Sequence, residues 1–240
     1  MANKLRQDLK LLWRGLLLET TAYDEAGDDD RPFVDGFFLV VLVGVILGLA
    51  ALLGSLFDWA TTPNLGQIKD IIFDALRAMP WFDAISSNPQ AVEEFTRQYN
   101  LGWRISDWFA PSISTALGTL ITTPIGLLIG WLWFGLVAHG VARLLGGKAA
   151  ARQTLGAAAL ASAPALLGVV GILPGLAVAG VGILTLLARY TAIRRVHLEL
   201  SWGRALTATL APTLILWLFV GALGLILIPI AIAAIGGMIQ

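Results

Sequence analysis

Chemistry in this chain would fall to very few side chains. His139 and His197 are its two imidazoles, and it has no cysteine. An imidazole with a carboxylate partner at membrane depth can relay protons, and imidazoles grouped with thiolates or carboxylates hold metals. His139 lies near the end of a long apolar run, and none of the charge-free runs offers it a carboxylate at depth, so it reads as a structural residue at the membrane boundary. Asp35 falls at the outset of another such run, close enough to the surface to be hydrated. His197 shares "RRVHLEL" with Glu199, and two histidines on separate segments make no metal motif. Disulfides, thiolate metal sites and thiol catalysis are excluded together. The "GGK" of Gly146–Lys148 is no phosphate loop, because Ala142 and Ala149 stand where such a loop needs glycine and a hydroxyl. No Ser-His-Asp spacing or carboxylate pair stands out. The expectation is a protein without catalysis, cofactor or metal.

The elements that position these residues belong to a membrane. Of 240 residues, 57% are hydrophobic and 13% charged, and the mean hydropathy is +0.79. Soluble domains carry about a quarter charged residues. Sixteen basic and sixteen acidic residues cancel, but their signs are segregated along the chain, and nothing points to nucleic acid. Residues 1–32 hold five basic and seven acidic residues and no cleavable-leader pattern, so the first span is expected to target the chain and stay in place.

A crossing helix needs ~20 apolar residues. The 22 residues Gly36–Phe57 are charge-free and read as the first span. The second is expected at Leu120–Val141, inside a charge-free run from Trp108 to Ala142 that Pro111 and Pro124 should break. Gln153–Leu173 and Gly175–Ala188 read as a tightly joined third and fourth span, turning at "LPG", and the fifth begins near Ala205. Before them, Leu5, Leu9, Leu12, Trp13, Leu16 and Leu17 mark one face of a helix over 3–18, with Lys4, Arg6, Lys10 and Arg14 on the rest. Such a basic amphipathic helix lies in the headgroup layer of an anionic leaflet. The acidic stretch from Asp24 to Pro32 reads as a solvated turn. The 50-residue insert 58–107 should form two amphipathic helices, one starting at Pro89 after Asn88. Trp81, Phe82, Trp103, Trp108 and Phe109 are expected at the water–lipid boundary. The fold class is therefore all-α: a five-span polytopic membrane protein with an N-terminal interfacial helix (1–32 including the acidic linker) and a membrane domain (33–240) that includes the extracytoplasmic insert.

Loop charge sets the orientation. The insert has four basic and seven acidic residues; 143–152 has Arg143, Lys148 and Arg152 and no acid; 189–204 has Arg189, Arg194, Arg195 and Arg204 against Glu199. Cytoplasmic loops accumulate Lys and Arg. One arrangement satisfies all three: N-terminus inside, insert outside, both basic loops inside, C-terminus outside, in the plasma membrane. Gly146-Gly147 permits the reversal of the first basic loop. Gly44 with Gly48, Gly126 with Gly130, and Gly171 with Gly175 have the spacing of close helix packing. The third span, small on nearly every face, is expected at the bundle's centre. Pro164 and Pro212 should kink their spans, with Ser162, Thr209 and Thr213 answering freed carbonyls.

"HGVARLLGGKAAARQTLGAAALASAP" (139–164), "RRVHLELSWGRALTATLAP" (194–212) and the short hairpin between them resemble the YIP (Ypt-interacting protein) domain family, in its prokaryotic form. The resemblance implies five spans, a cytoplasmic N-terminus and a C-terminus across the membrane. Eukaryotic relatives bind small GTPases in vesicle traffic and shape Golgi and endoplasmic reticulum membranes. Here "DEAGDDDRPF" replaces their "DLYGP" motif, and the long cytosolic N-terminal region is absent, so GTPase binding is not carried over. The contact surface implied comprises Arg143, Lys148, Arg152, Arg194, Arg195, His197 and Arg204.

Two functions of different classes follow. One is a scaffold or organiser meeting anionic inner-leaflet lipids and partner proteins through its basic cytoplasmic face. The other is an accessory subunit packed among the subunits of a larger energy-transducing membrane complex. A transporter would show internal repeats and polar broken helices, and a channel a polar ring; neither is legible.

Overall fold

The structure, a computed structural model, describes residues 2–61, 65–107, 110, 112–173 and 175–237. Trp108, Phe109, Pro111 and Pro174, to which the sequence assigned boundary and turn roles, lie outside the described residues. Every regular element among those described is helical. The helices are α1 (Ala2–Leu16), α2 (Thr20–Asp28), α3 (Pro32–Thr61), α4 (Leu65–Arg77), α5 (Pro80–Ser86), α6 (Pro89–Asp107), α7 (Ile113–Leu144), α8 (Ala151–Leu160), α9 (Val181–Val196) and α10 (Trp202–Gly237), with a 3₁₀ helix at Ala163–Ile172 between α8 and α9. Four stretches are long and apolar enough to cross a membrane: Pro32–Thr61, Ile113–Leu144, Ala151–Ile172 and Trp202–Ile230.

The chain divides into two compact units. The first comprises 1–48, 121–170 and 177–240. At its core α8 is buried from Thr154 to Leu160, the central seat expected of the small-residue span. Glycine and alanine let neighbours reach its backbone: a side chain on Gly156 would strike the Ala26 carbonyl at 2.4 Å and Pro32 at 2.7 Å. Tyr23, Leu12, Val40, Ile193 and Leu200 fill the same core. Two buried polar groups are paired to backbone, the Tyr23 hydroxyl donating to Gly15 O at 2.9 Å and Trp131 Nε1 to Leu155 O at 2.9 Å.

The acidic stretch after α1 is not the solvated turn its charges suggested. Most of it belongs to α2, because Ala22, Tyr23, Ala26 and Gly27 share one buried face while Asp24 and Glu25 stay outward to meet arginines. Pro124 does not break α7, which runs through it; Gly44 presents bare backbone there, and a Cβ on it would sit 2.7 Å from Pro124 Cα. Pro164 does act. Lacking an N–H, and clashing with the carbonyl four residues back, it ends α geometry, and the third stretch continues as the 3₁₀ helix. Ser162 Oγ donates to Ala159 O and Thr209 Oγ1 to Ala205 O, so neither answers the carbonyl freed by its proline. The helix expected at Gly175–Ala188 begins later and ends later than the sequence suggested. Gly175 and Gly180 adopt φ of +76° and +83°, which holds the chain out of a helix until Val181 and places Arg189, Arg194 and Arg195 on α9.

The second unit comprises 49–120 and 171–176. Three helices, not two, form the insert. Asn88 Oδ1 accepts the amides of Gln90 and Ala91 and so caps α6, and α5 adds Phe82 to an aromatic cluster with Trp81, Phe95, Phe73 and Tyr99. Phe82 is therefore buried inside the insert, whereas Trp81 is exposed. Tyr99 Oη donates to Lys69 O at 2.5 Å, tying α6 to α4.

Candidate functional site

The residues marked out by the sequence converge at one end of the first unit. There the hydroxyl of Thr154, in the first turns of α8, stands between both histidines: His139 Nδ1 at 3.0 Å and His197 Nε2 at 3.0 Å. The Ala150 carbonyl lies 3.4 Å from the same oxygen. The two rings are 5.7 Å apart, inclined by 39°. One hydroxyl carries one proton, so at least one imidazole must donate its N–H to Thr154. His197 is fully buried. Burial, and after it the neighbouring His139, holds its pKa down at about 4, so it is neutral at pH 7. Its Nδ1 has no hydrogen-bond partner among the described residues.

Gly147 closes the other side of that ring. A Cβ there would meet His197 Nδ1 at 2.5 Å and Ala142 O at 2.9 Å, while its own amide donates to Ala142 O at 2.8 Å. Gly146 turns the loop with φ +101°, the reversal expected of the glycine pair. Thus the α7–α8 loop, the start of α8 and the end of α9 form one knot. Arginines tie its rim to backbone: Arg143 to Lys148 O at 3.1 Å, Arg194 to Leu198 O at 3.2 Å and Arg204 to Leu145 O at 3.3 Å. Arg195 extends the knot to α2, its Nε donating to Asp24 Oδ1 at 2.8 Å and its Nη2 to Oδ2.

The predicted residues separate into two kinds. Arg143, Lys148, Arg152 and Arg204 are exposed and, with Arg194, take part in no ion pair among the described residues. Exposed apolar side chains stand beside them in sequence: Leu144 is 87% accessible, Leu198 66% and Trp202 68%. On α1, Arg6 and Lys10 are exposed. Lys4, however, is bonded to Asp35 at 2.5 Å, and Arg14 to Glu25 at 2.6 Å and Glu19 at 3.1 Å. Those two cations hold α1 to the protein. The expected apolar stripe also divides. Leu12 is buried, while Leu5, Leu9, Trp13 and Leu17 stay exposed on a second face.

The packing glycines differ in their surroundings within this chain. Gly44 meets Pro124, and Gly48 is buried. A Cβ on Gly126, Gly130, Gly171 or Gly175 would meet nothing within 4 Å. Gly126 and Gly130 line a cavity of about 110 Å³ with Arg189, whose guanidinium lies 4.7 Å from the Phe134 ring centre. The close approach near Gly171 belongs to Gly54, where a Cβ would fall 2.6 Å from Gly171 O. Sequence reasoning missed Thr154 and Asp24 altogether. Thr154 lies within the 139–164 stretch that carried the resemblance, and as the one hydroxyl between the basic loop and "GAAAL" it was the available signal.

Helices this long and apolar define a polytopic integral membrane protein of α-helical type. The Yip1 domain model matches residues 20–225, nearly the whole chain, and the chain belongs to the Yip1 domain family. No curated protein and no solved structure matches it.

Proposed function

We propose that this protein is a non-catalytic scaffold of the plasma membrane that presents the Thr154-centred knot to the cytoplasm as a rigid basic platform. The reading includes five crossings, N-terminus inside and C-terminus outside. Its support is local. Thr154 near the start of the third stretch is bonded to His197 just after α9, so a chain that leaves this level along α8 and the 3₁₀ helix comes back to it at the end of α9. That supports reading α9 as the return crossing, the fourth: its 16 residues cover about 24 Å of a ~30 Å hydrocarbon core, and residues 177–180 lead into it. Asp24 is held by Arg195 at the same level, which supports the proposed seat of α1 and α2 on the inner leaflet, with Arg6, Lys10 and the exposed Leu5, Leu9 and Trp13 in its headgroup layer.

The observation that carries the scaffold reading is the pairing of fixed, carboxylate-free cations with exposed Leu144, Leu198 and Trp202. Such a mixture favours partner surfaces, where apolar anchors sit among charged rims. A second reading, a subunit packed laterally into a larger complex, is favoured by α10: no residue of its most apolar stretch is buried by this chain. A photo-crosslinker at Leu198 and another at Leu218, in the full chain in its native membrane, separate the two. Protein adducts at Leu198 that disappear in Arg143→Ala/Lys148→Ala/Arg204→Ala support the platform. Adducts confined to Leu218 support the lateral subunit and defeat the scaffold.

A further inference from the structure

Beneath α1 two cavities meet. One, of about 540 Å³, is bounded by α1, α2 and the start of α3 and is lined by charges of both signs. The other, of about 630 Å³, is an apolar trough whose α3 wall is Phe38, Val41, Leu42 and Val45, with Leu5 of α1 opposite. Those four positions are one stripe of a helix and extend about 10 Å along it. Lys4 and Asp8 line both cavities, so the two adjoin across these side chains, one polar and the other apolar.

The charges of the polar end do not all pair within the protein. Lys4 holds Asp35 and lies 5.8 Å from the Phe38 ring centre, at the junction. Arg14 holds Glu25 and Glu19. Among the described residues, Lys10 and Arg31 have no carboxylate within ion-pair distance, and Asp8 and Asp29 have no cation. Burial raises the Asp8 carboxyl above its ordinary value, against the pull of Lys4 one turn away. Two cations and two carboxylates outside any ion pair, with Asp29 Oδ1 accepting only the Arg31 amide at 3.1 Å, therefore line one space beside an acyl-sized trough. A purely anionic head group would satisfy Lys10 and Arg31 and stand against Asp8 and Asp29. A quaternary ammonium would bring positive charge without N–H donors.

We propose that this chamber binds one phospholipid with a primary-amine zwitterionic head group, phosphatidylethanolamine, its phosphate drawn to Lys10 and Arg31, its ammonium to Asp8 and Asp29, and one acyl chain along Phe38–Val45. The inference rests on α1 lying at the membrane surface, as proposed above, and goes beyond it by naming the lipid. Charge-assisted hydrogen bonds from the ammonium give the selectivity over a choline lipid with identical acyl chains.

The test is native mass spectrometry of the full chain released from nanodiscs holding equal amounts of phosphatidylethanolamine, phosphatidylcholine and phosphatidylglycerol with the same acyl chains. The expected result is one retained lipid per chain, with phosphatidylethanolamine preferred about tenfold over phosphatidylcholine, a difference of ~1.4 kcal/mol. Asp8→Asn/Asp29→Asn should bring that preference near parity, with thermal stability in pure phosphatidylcholine unchanged. Val41→Trp, which fills the trough, should reduce retention of every lipid. Equal retention of the ethanolamine and choline lipids by the unmodified chain overturns the proposal, as does unchanged selectivity in the Asp pair variant. Preference for phosphatidylglycerol overturns it too while leaving α1 at the membrane surface. Retention of no lipid overturns the proposal as well, and the Leu198 crosslinking outcome bears separately on the platform.

Discussion

Arg195 of α9 grips Asp24 of α2 through two hydrogen bonds across 171 residues of sequence. This fork-to-carboxylate pairing fixes the N-terminal helices to the platform with both distance and angle. The side chains are 38% and 31% accessible, so water moderates the energy. Arg195→Ala and Asp24→Ala should each lower the apparent melting temperature in detergent, with a coupling in the double-mutant cycle of about 0.5–1 kcal/mol. The charge reversal Arg195→Asp/Asp24→Arg should recover part of the loss. Additivity of the two single variants would show that the pair does not tether α2.

Thr154 has a stronger claim on stability, being buried and serving two imidazoles at once. Thr154→Val keeps the shape and removes the hydroxyl, leaving the buried His197 Nε2 and the half-buried His139 Nδ1 without their partner; the expected loss is about 1–3 kcal/mol. Thr154→Ser, which retains the oxygen, should cost well under half of that. The measurement is the thermal melt of both variants at pH 7.5, and equal losses would refute a role for the hydroxyl.

The same cluster sets a pH dependence. His197 is neutral in the fold, with its pKa depressed to about 4, against about 6.5 in the unfolded chain. A depressed imidazole binds protons better when unfolded, so its contribution is fully present above pH 6.5 and is lost as pH falls from 6.5 towards 4. The slope over that window is at most ~1.4 kcal/mol per pH unit. His197→Gln should flatten the acid limb of the melting-temperature profile between pH 6.5 and 4, although its stability at pH 7.5 is lower. An unaltered limb would assign acid sensitivity to other groups.

Hydropathy made the membrane legible at once, because a run such as Gly36–Phe57 leaves no other reading, and it located α3, α7 and α10 closely. What it could not reach were relationships across the sequence. The charges of "DEAGDDDRP" suggested solvent, yet α2 buries its alanines and turns its acids to arginines on α1 and α9. His139 and His197 looked unrelated on separate segments, and only the return of α9 to the level of α8 brings them onto one hydroxyl. Proline was ambiguous for a similar reason. Pro124 is accommodated within α7 beside bare backbone at Gly44, while Pro164 changes the helix type.

Glycine spacing was likewise an incomplete guide, and a paired substitution measures how incomplete. Gly44→Ala places a methyl 2.7 Å from Pro124 Cα, and Gly147→Ala places one 2.5 Å from His197 Nδ1. Backbone or ring must move in both, at a cost of about 1–3 kcal/mol. Gly126→Ala and Gly130→Ala meet nothing within 4 Å and, in mid-helix, should be neutral or stabilising by up to ~1 kcal/mol. Melting temperatures of the four variants decide it; a penalty at Gly126 or Gly130 as large as at Gly44 would mean that those two face another chain.

The orientation offers the last test. Because the chain has no cysteine, single cysteines at Ala149 and Ser87 report the α7–α8 loop and the insert on a clean background. Membrane-impermeant maleimide added to intact cells should label Ser87→Cys and leave Ala149→Cys unlabelled until the membrane is opened. Arg143→Ala/Lys148→Ala/Arg152→Ala removes every cation of its loop. If those charges retain the loop inside, part of the Ala149→Cys population should become accessible from outside. Arg194, Arg195 and Arg204 remain as a second inside signal, so the shift should be partial and should grow when they are also neutralised. Labelling of Ser87→Cys only after permeabilisation would place the acidic insert in the cytosol, reverse the orientation and remove the platform from the compartment in which it is proposed to act.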